Sequence, residues 1–532
     1  MRQILAIFTK DARRFWPEIL VSLGLLVALV QVYPMQWAEV QWTQPGTINR
    51  GIGWFGISGS PSGVFAACLV ALVPISWWIL IARLIHCEKL VGHTQFWITR
   101  PYEWPKLLAA KILFLAVFLY APFFAAQCLL LHSGGFHPFS HLPGLLLNLV
   151  YLTAFVVLPL AALSALTTGF GRLTLLILGV ILFIVLAVIV SDYLPSSTFG
   201  SVPDIVSGNL ALAILFGGFA AIVLIQYARH RMRLAWFLLA AVAVGLWAIA
   251  IFDPDQALMA RHYPPAPGPV QFVYASGGVT NETNSKDSLA VSLPMHESGV
   301  ADGKAVIPVA LKVNLEGPGG ASWQSSWQGI SSQRYLAGAS DTNMAFVMPR
   351  AVYDRFKPVP VTLRITFAVV QARRDSVRVV PLPAGDFNVA GVGVCKAQSW
   401  MGDINDFSGI ACRSAMNQPR LTYITAQWTT GRCGDAASES SSQMLGTAWV
   451  GELDPALAEF GITPVWDTPV TLSNPWVPYR QGQPLRGRNL CPGSPVIFTQ
   501  FRETVRTQTD LVIRDFRLPD LSLGDRLMLL AR

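Results

Sequence analysis

Seven apolar stretches dominate the first half of the chain. They lie at residues 19–32, 64–82, 112–131, 145–166, 173–190, 210–227 and 234–252. A helix needs about 20 apolar residues to cross a bilayer core about 30 Å thick. The stretches approach that length and contain no Asp, Glu, Lys or Arg, which favours membrane spans over buried helices of a soluble core. The pattern predicts a seven-helix transmembrane bundle at residues 17–252.

The pattern changes beyond residue 252. Residues 253–269 are predicted to be a linker, after which short alternating runs separated by turn residues replace the long apolar ones. Strands are predicted at 270–274, 288–293, 305–313, 361–371, 377–380, 421–428, 447–450, 469–472, 495–498 and 510–516. Many short strands without helical periodicity are typical of antiparallel sandwiches. We therefore expect an all-β region made of two sandwiches, at 270–383 and 384–532.

Charge gives the predicted orientation. Charged residues make up 13% of the chain, against about 25% in soluble proteins. Residues 1–252 hold 14 Lys and Arg against 7 Asp and Glu, and 13 of the 14 lie at the amino terminus or in alternate loops. Short basic loops stay in the cytoplasm. The sequence therefore predicts a cytoplasmic amino terminus and, after seven crossings, an extracytoplasmic all-β region.

The segment before the first span is predicted to be an amphipathic helix at the membrane surface. Residues 1–16 alternate apolar side chains with four cations, Arg2, Lys10, Arg13 and Arg14. Apolar residues on one helix face with Lys and Arg on the other are typical of interfacial helices. We expect a cytoplasmic interfacial helix over residues 1–16.

The loop between the second and third predicted spans carries a distinctive pattern. It starts acidic, turns at a glycine, continues through a short apolar run and a proline, and reaches Lys111 where the next span begins. The residues that form the pattern are Glu88, Gly92, Thr94, Phe96, Trp97, Arg100 and Pro101. This loop resembles the first cytoplasmic loop of ABC-2 type permeases, and residues 1–16 resemble the elbow helix of that family. The resemblance covers about residues 1–233.

This resemblance implies a bacterial inner-membrane transporter. It implies that the loop at 88–106 docks on a separate ABC ATPase subunit, and that the permease pairs as a homo- or heterodimer. The chain lacks a G-x-x-x-x-G-K-[ST] loop of its own, since the segment 299–304 has neither the spacing nor the hydroxyl residue. No cofactor, metal or nucleic-acid partner is predicted; the lipid bilayer is the other expected partner.

Two departures from the family keep an alternative open. The seventh span and the β region of about 280 residues are not part of a standard ABC-2 permease. The alternative is a non-transporting membrane protein whose extracytoplasmic β region binds or senses a ligand. The β region carries no G-x-S-x-G elbow or metal signature, so an enzyme is not predicted.

Four cysteines in the last third of the chain are candidates for disulfides. They are Cys395, Cys412, Cys433 and Cys491. An even number in an oxidising compartment favours two bridges, and four cysteines allow three pairings. Closeness in sequence favours Cys395 with Cys412 and Cys433 with Cys491. A zinc site is the competing interpretation, although no C-x-x-C pair is present.

Overall fold

A computed structural model gives the fold of this protein. It describes residues 2–39, 61–87, 103–193, 205–251, 255–265, 271–276, 279–282, 288–330, 342–381, 386–389, 393–399, 407–415, 422–430, 442–450, 464–472 and 495–520. The described residues form an α-helical part up to residue 262 and an antiparallel β region after it. This confirms the predicted order of a helical half followed by a β half.

Helices occupy all seven positions where spans are predicted. The helices of this half are α1 Arg2–Arg14, α2 Trp16–Glu39, α3 Pro61–His86, α4 Trp104–Leu115, α5 Ala121–Ser133, α6 Leu142–Leu152, α7 Leu158–Leu166, α8 Phe170–Tyr193, α9 Ile205–Arg229, α10 Met232–Ile251 and α11 Asp255–His262. Within the described residues, five helical stretches are long and apolar enough to cross a membrane. They are Trp16–Met35, Val64–His86, Trp104–Ser133, Pro138–Leu166 and Leu210–Arg229. Seven crossings and their orientation stay predictions.

The third and fourth apolar helices are each interrupted by one wide turn. Residues Ala116–Tyr120 form a π segment between α4 and α5, and Thr153–Val157 form another between α6 and α7. A proline follows each segment, at Pro122 and Pro159. Because proline has no N–H to donate and clashes with the preceding turn, it favours a local widening of the helix. Pro122 and Pro159 therefore coincide with the irregular turns of these two helices.

Buried side chains from several helices form one core. It includes Leu26 and Leu29 of α2, Trp77 of α3 and Phe123 of α5. The Trp77 and Phe123 rings meet edge to face with centroids 5.3 Å apart. Many outward-facing side chains are large and apolar, such as Phe237 at 69% exposure. Apolar side chains on the outside as well as the inside are expected of helices in lipid.

A glycine lets α9 and α10 approach each other closely. A Cβ atom built on Gly218 would overlap the Val242 side chain, whereas one built on Gly217 would meet no atom within 4 Å. Small residues permit such close backbone approach between membrane helices. Gly218 is thus required by packing and Gly217 is not.

The β region contains two antiparallel sheets. Its strands are β1 Gln271–Tyr274, β2 Val279–Glu282, β3 Ser288–Ser298, β4 Lys304–Glu316, β5 Ser322–Gln324, β6 Gln328–Gly329, β7 Thr342–Pro349, β8 Val361–Pro381, β9 Asp386–Val389, β10 Gly393–Ser399, β11 Phe407–Ala415, β12 Thr422–Thr430, β13 Ser442–Val450, β14 Val465–Leu472 and β15 Pro495–Phe516. A short helix, α12 Arg350–Phe356, follows β7. In the smaller sheet, β3 pairs with β1, β2 and β7. The larger sheet has the order β5-β4-β8-β15-β12-β13-β14-β11-β10-β9, with β6 also on β4.

The two sheets share a hydrophobic core. Alternate residues of β3, including Val291 and Leu293, pack in one cluster with Leu363, Ile365 and Phe367 of β8. This period of two places apolar residues on one face of each strand. The smaller sheet therefore buries its apolar face against one end of the larger sheet.

The larger sheet continues across the predicted boundary at 383/384. Strands β8 and β15 pair along almost their whole length, from Val361 opposite Phe516 to Pro381 opposite Pro495. Strand β4 joins the first part of β8, and β12 joins the first part of β15. One long strand pair thus links the two β units, and their division into two sandwiches stays a prediction.

Within the described residues, the helical half meets the β region at the linker and at the turn after α5. Helix α11 places Met259 in a buried cluster with Ala368 and Val370 of β8. The turn after α5 contains Gly135, whose added Cβ would lie 3.3 Å from the Val394 side chain of β10. The two halves are therefore packed together at the linker and at this turn.

Candidate functional site

The predicted ATPase-docking residues lie outside the described residues. These are Glu88, Gly92, Thr94, Phe96, Trp97, Arg100 and Pro101. The structure does describe both flanks of this loop, Cys87 after α3 and Glu103 before α4. The elements that hold the two ends of the loop therefore define the candidate site.

Helix α1 has a basic exposed face. Arg2, Lys10, Arg13 and Arg14 are all exposed, as the sequence predicts for one face of an amphipathic helix. The opposite face buries Ile7 and, unexpectedly, an acid, Asp11. The amphipathic helix is thus present, while its place at a membrane surface stays a prediction.

Asp11 forms a buried ion pair with Lys111 of α4. The Lys111 Nζ atom donates to the Asp11 Oδ2 atom over 2.7 Å, and the two side chains are only 4% and 2% exposed. Lys111 Nζ also lies 3.7 Å from the Cys87 Sγ atom. A buried charge costs several kcal/mol unless it is paired. The pair therefore holds α1 on α4 beside the residue from which the loop departs.

Four aromatic side chains pack together on and beside the helices that carry this ion pair. Phe8 of α1 stacks on Phe118 at 5.6 Å between ring centroids. Phe15, which follows α1, meets Phe114 of α4 edge to face at 6.4 Å. The four rings belong to one hydrophobic cluster, against which Cys87 also packs. We call Asp11, Lys111, Cys87 and these four phenylalanines the loop anchor.

A second ion pair joins α2 to α3 at the same end of the bundle. Arg83, near the end of α3, donates to the Glu18 carboxylate at the start of α2. The Glu18 side chain is 12% exposed and that of Arg83 is 57% exposed. Because α3 leads into the loop and α4 leads out of it, ion pairs hold both helices that border the loop.

The two π segments are joined to each other. The Tyr120 hydroxyl, in the first segment, lies 2.7 Å from the Thr153 hydroxyl in the second. Thr153 also donates to the Leu149 carbonyl at 2.6 Å. Wide turns of this kind inside α-helices are frequent at functional sites. The irregular turns of the two helices are therefore coupled by a side-chain hydrogen bond.

The β region brings two of the four candidate cysteines together. Cys395 of β10 and Cys412 of β11 are directly opposite in the antiparallel register, and Cys395 is fully buried. Cys433 and Cys491 lie outside the described residues. The backbone register thus places the favoured first pair opposite each other, and both disulfides stay predictions. Within the described ranges, no group of three or more His, Cys, Asp or Glu is placed to hold a metal ion.

The linker helix α11 carries a half-buried histidine beside the long strand pair. Burial, with the nearby cations of Arg506 and Arg261, lowers the pKa of His262 below its usual value. The Arg506 guanidinium lies 5.7 Å from the centre of the Tyr263 ring. Gln508 of β15 donates its backbone N–H to the Pro264 carbonyl at 3.1 Å. The linker is therefore fixed to the sheet by several different contacts.

Sequence reasoning missed Asp11 and the significance of its partner. The resemblance identifies Lys111 as the residue at which the third span begins. In the structure, Lys111 lies inside the helical stretch Trp104–Ser133 and not before it. One signal for Asp11 was available: it lies four residues after Ile7, on the apolar face of a helix whose other charges are all basic. An acid at such a position needs a buried cation.

Comparison with known proteins adds no family assignment. No protein-family model matches the chain, and a search of curated proteins finds no match.

Proposed function

We propose that this protein is an ABC-2-like permease subunit of a bacterial inner-membrane transporter. In this proposal it moves a substrate outward with energy from a separate ABC ATPase subunit, as one half of a permease homo- or heterodimer. The observation that carries the proposal is the loop anchor. A separate motor can act on the bundle only if the loop it contacts is firmly joined to the helices.

The anchor supplies that connection. A movement of the loop reaches α3 through Cys87, and it reaches α4 at the start of that helix. Lys111 of α4 then transmits the movement to α1 through its hydrogen bond of 2.7 Å with Asp11. Helix α4 continues through the first π segment, whose Tyr120 is bonded to Thr153. Sharp bends in helices occur at wide turns of this kind. A movement of the loop thus has a continuous route into the middle of the bundle.

The orientation has its own test. Single cysteines at His93→Cys and Ser440→Cys in inverted and right-side-out vesicles should react with a membrane-impermeant maleimide on opposite faces. Position 93 should be labelled from the cytoplasmic face and position 440 from the outer face. The reverse pattern would refute the orientation and, with it, the cytoplasmic position of the loop.

The ATPase partner is tested by co-purification in mild detergent. Wild type should retain a nucleotide-binding subunit, identified by mass spectrometry, and the preparation should hydrolyse ATP. A variant with Glu88→Ala and Arg100→Ala should lose that subunit. Arg50→Ala, which removes a cation from a loop predicted on the other side, is the matched control and should retain it.

The same experiment separates the two functional classes. If no ATPase is recovered with wild type under conditions that preserve other membrane complexes, the transporter proposal fails. The protein is then better described as a membrane-anchored binding or sensor protein. If both variants lose the ATPase equally, the subunit is bound elsewhere and the docking role of the loop is wrong.

A further inference from the structure

Three cations stand opposite one another on three adjacent strands of the larger sheet. Lys304 of β4 pairs in register with Arg373 of β8, and Arg373 pairs with Arg502 of β15. All three residues are exposed. Directly opposite like charges destabilise a sheet. This row of cations therefore needs a reason other than the stability of the fold.

Neighbouring residues only partly neutralise the row. The Asp375 carboxylate accepts from Arg502 at 2.8 Å. A fourth cation, Arg374, lies over the β3–β4 turn, since a Cβ on Gly303 would be 3.7 Å from its Nη2 atom. Asp302 in that turn is a further exposed acid. Four cations thus share this corner of the sheet with two carboxylates, which leaves an excess of two positive charges.

The backbone is irregular at the same place. The register of β15 against β8 shifts between Gln500 and Phe501 and again between Glu503 and Val505, on either side of Arg502. Such bulges re-aim side chains and are over-represented beside functional sites. Arg502 therefore lies in a short segment bounded by two bulges. Repulsion between the charged side chains of the row would not by itself produce these bulges, because solvated side chains can move apart without a change in the backbone.

We propose that Lys304, Arg373 and Arg502 form a binding site for a phosphate group. Adjacent strands are about 4.8 Å apart, so the row spans roughly 9.6 Å at the backbone, within which three long side chains can converge on one anion. The Arg373 guanidinium offers a forked pair of donors that matches phosphate oxygens. Arg502 adds the donors that its bond to Asp375 does not use, and Lys304 adds a point charge. A bound dianion would balance the two excess charges. This site is independent of transport and of any ATPase.

Thermal unfolding of the full-length protein in a nonionic detergent tests the site. Sodium phosphate should raise the melting temperature of wild type saturably, relative to sodium chloride at equal ionic strength. A second series uses short-chain phosphatidylglycerol against short-chain phosphatidylcholine. Stabilisation by inorganic phosphate identifies a free anion as sufficient; stabilisation by phosphatidylglycerol alone identifies a lipid headgroup. Either result supports the site only if the stabilisation is weakened when a cation of the row is replaced.

Variants establish that dependence. Arg373→Gln should weaken the apparent affinity roughly tenfold or more, because it removes the central forked donor. Without phosphate it should be at least as stable as wild type, since it relieves the repulsion. Arg364→Gln, an exposed arginine on the same strand, is the matched control and should bind as wild type does. Lys304→Gln serves as a second row variant should Arg373→Gln fail to fold.

Two results would overturn the proposal. One is the absence of any saturable shift in wild type, in either series, beyond the chloride reference. The other is an equal shift in the row variants and in Arg364→Gln, which would place the bound anion elsewhere.

Discussion

The Asp11–Lys111 pair permits a quantitative prediction. Replacing Lys111 with Met leaves a carboxylate that is 2% exposed without its cation, and replacing Asp11 with Leu leaves an ammonium that is 4% exposed without its anion. Removing one member of a buried pair costs about 3–5 kcal/mol, whereas replacing both with apolar residues is often neutral. Each single variant should therefore lower the stability of the bundle by about 3 kcal/mol or more. The double variant should lie within about 1 kcal/mol of wild type.

Thermal unfolding of the detergent-solubilised protein measures these differences as a double-mutant cycle. The same chain offers a matched control in Lys106, whose Nζ atom lies at the same 2.7 Å from the Glu103 carboxylate, with side chains 39% and 66% exposed. Lys106→Met should cost less than about 1 kcal/mol, because exposed pairs are weak. A cycle in which the two single effects simply add would show that the charges do not interact. The loop anchor would then have no electrostatic basis.

Three further results are expected. Gly218→Ala should destabilise the bundle by about 1–3 kcal/mol through overpacking, while Gly217→Ala should not; equal effects would contradict the close contact between α9 and α10. Non-reducing peptide mapping should find Cys395 linked to Cys412, and two free thiols there would refute the bridge. Because burial and two nearby arginines hold the pKa of His262 below its usual value, the unfolded chain binds that proton more readily, so stability should fall as the pH drops below about 6.5. His262→Gln should reduce the fall in melting temperature between about pH 7.5 and pH 5.5, and an unchanged pH dependence would exclude this group.

The helical half was predictable because one physical requirement dominates it. Segments that face lipid must be apolar over the whole thickness of the bilayer core and must satisfy their own backbone hydrogen bonds. The amino-acid composition of each segment reveals this requirement. Helices such as Pro61–His86 and Ile205–Arg229 therefore coincide with the predicted spans at 64–82 and 210–227. Their ends extend several residues further than the apolar runs. Polar residues can continue a helix beyond the apolar core.

The β region was predictable in kind but less so in detail. Strand β3 extends to Ser298, five residues beyond its predicted end at 293, and β7 was not predicted. Strand β15 is one continuous element of 22 residues where two short strands were expected. A strand that pairs with different neighbours along its length does not bury the same face throughout. Its sequence therefore lacks a regular alternation of apolar and polar residues. The pairing partners, which are distant in sequence, decide where such a strand ends.

Some features of the candidate site follow from the local sequence, and others depend on residues that are distant in the sequence. The basic face of α1 follows from the period of the helix, and the structure exposes Arg2, Lys10, Arg13 and Arg14 accordingly. The partner of Asp11, by contrast, is 100 residues away, and nothing in the local sequence connects the two. A lone acid on an apolar helix face does signal that a buried cation must exist, because burying it unpaired is too costly. The nearest cation at the start of an apolar helix, Lys111, then becomes the natural candidate. A search for an acid on an apolar helix face, together with a cation at the end of a predicted span, would have located the loop anchor from the sequence alone.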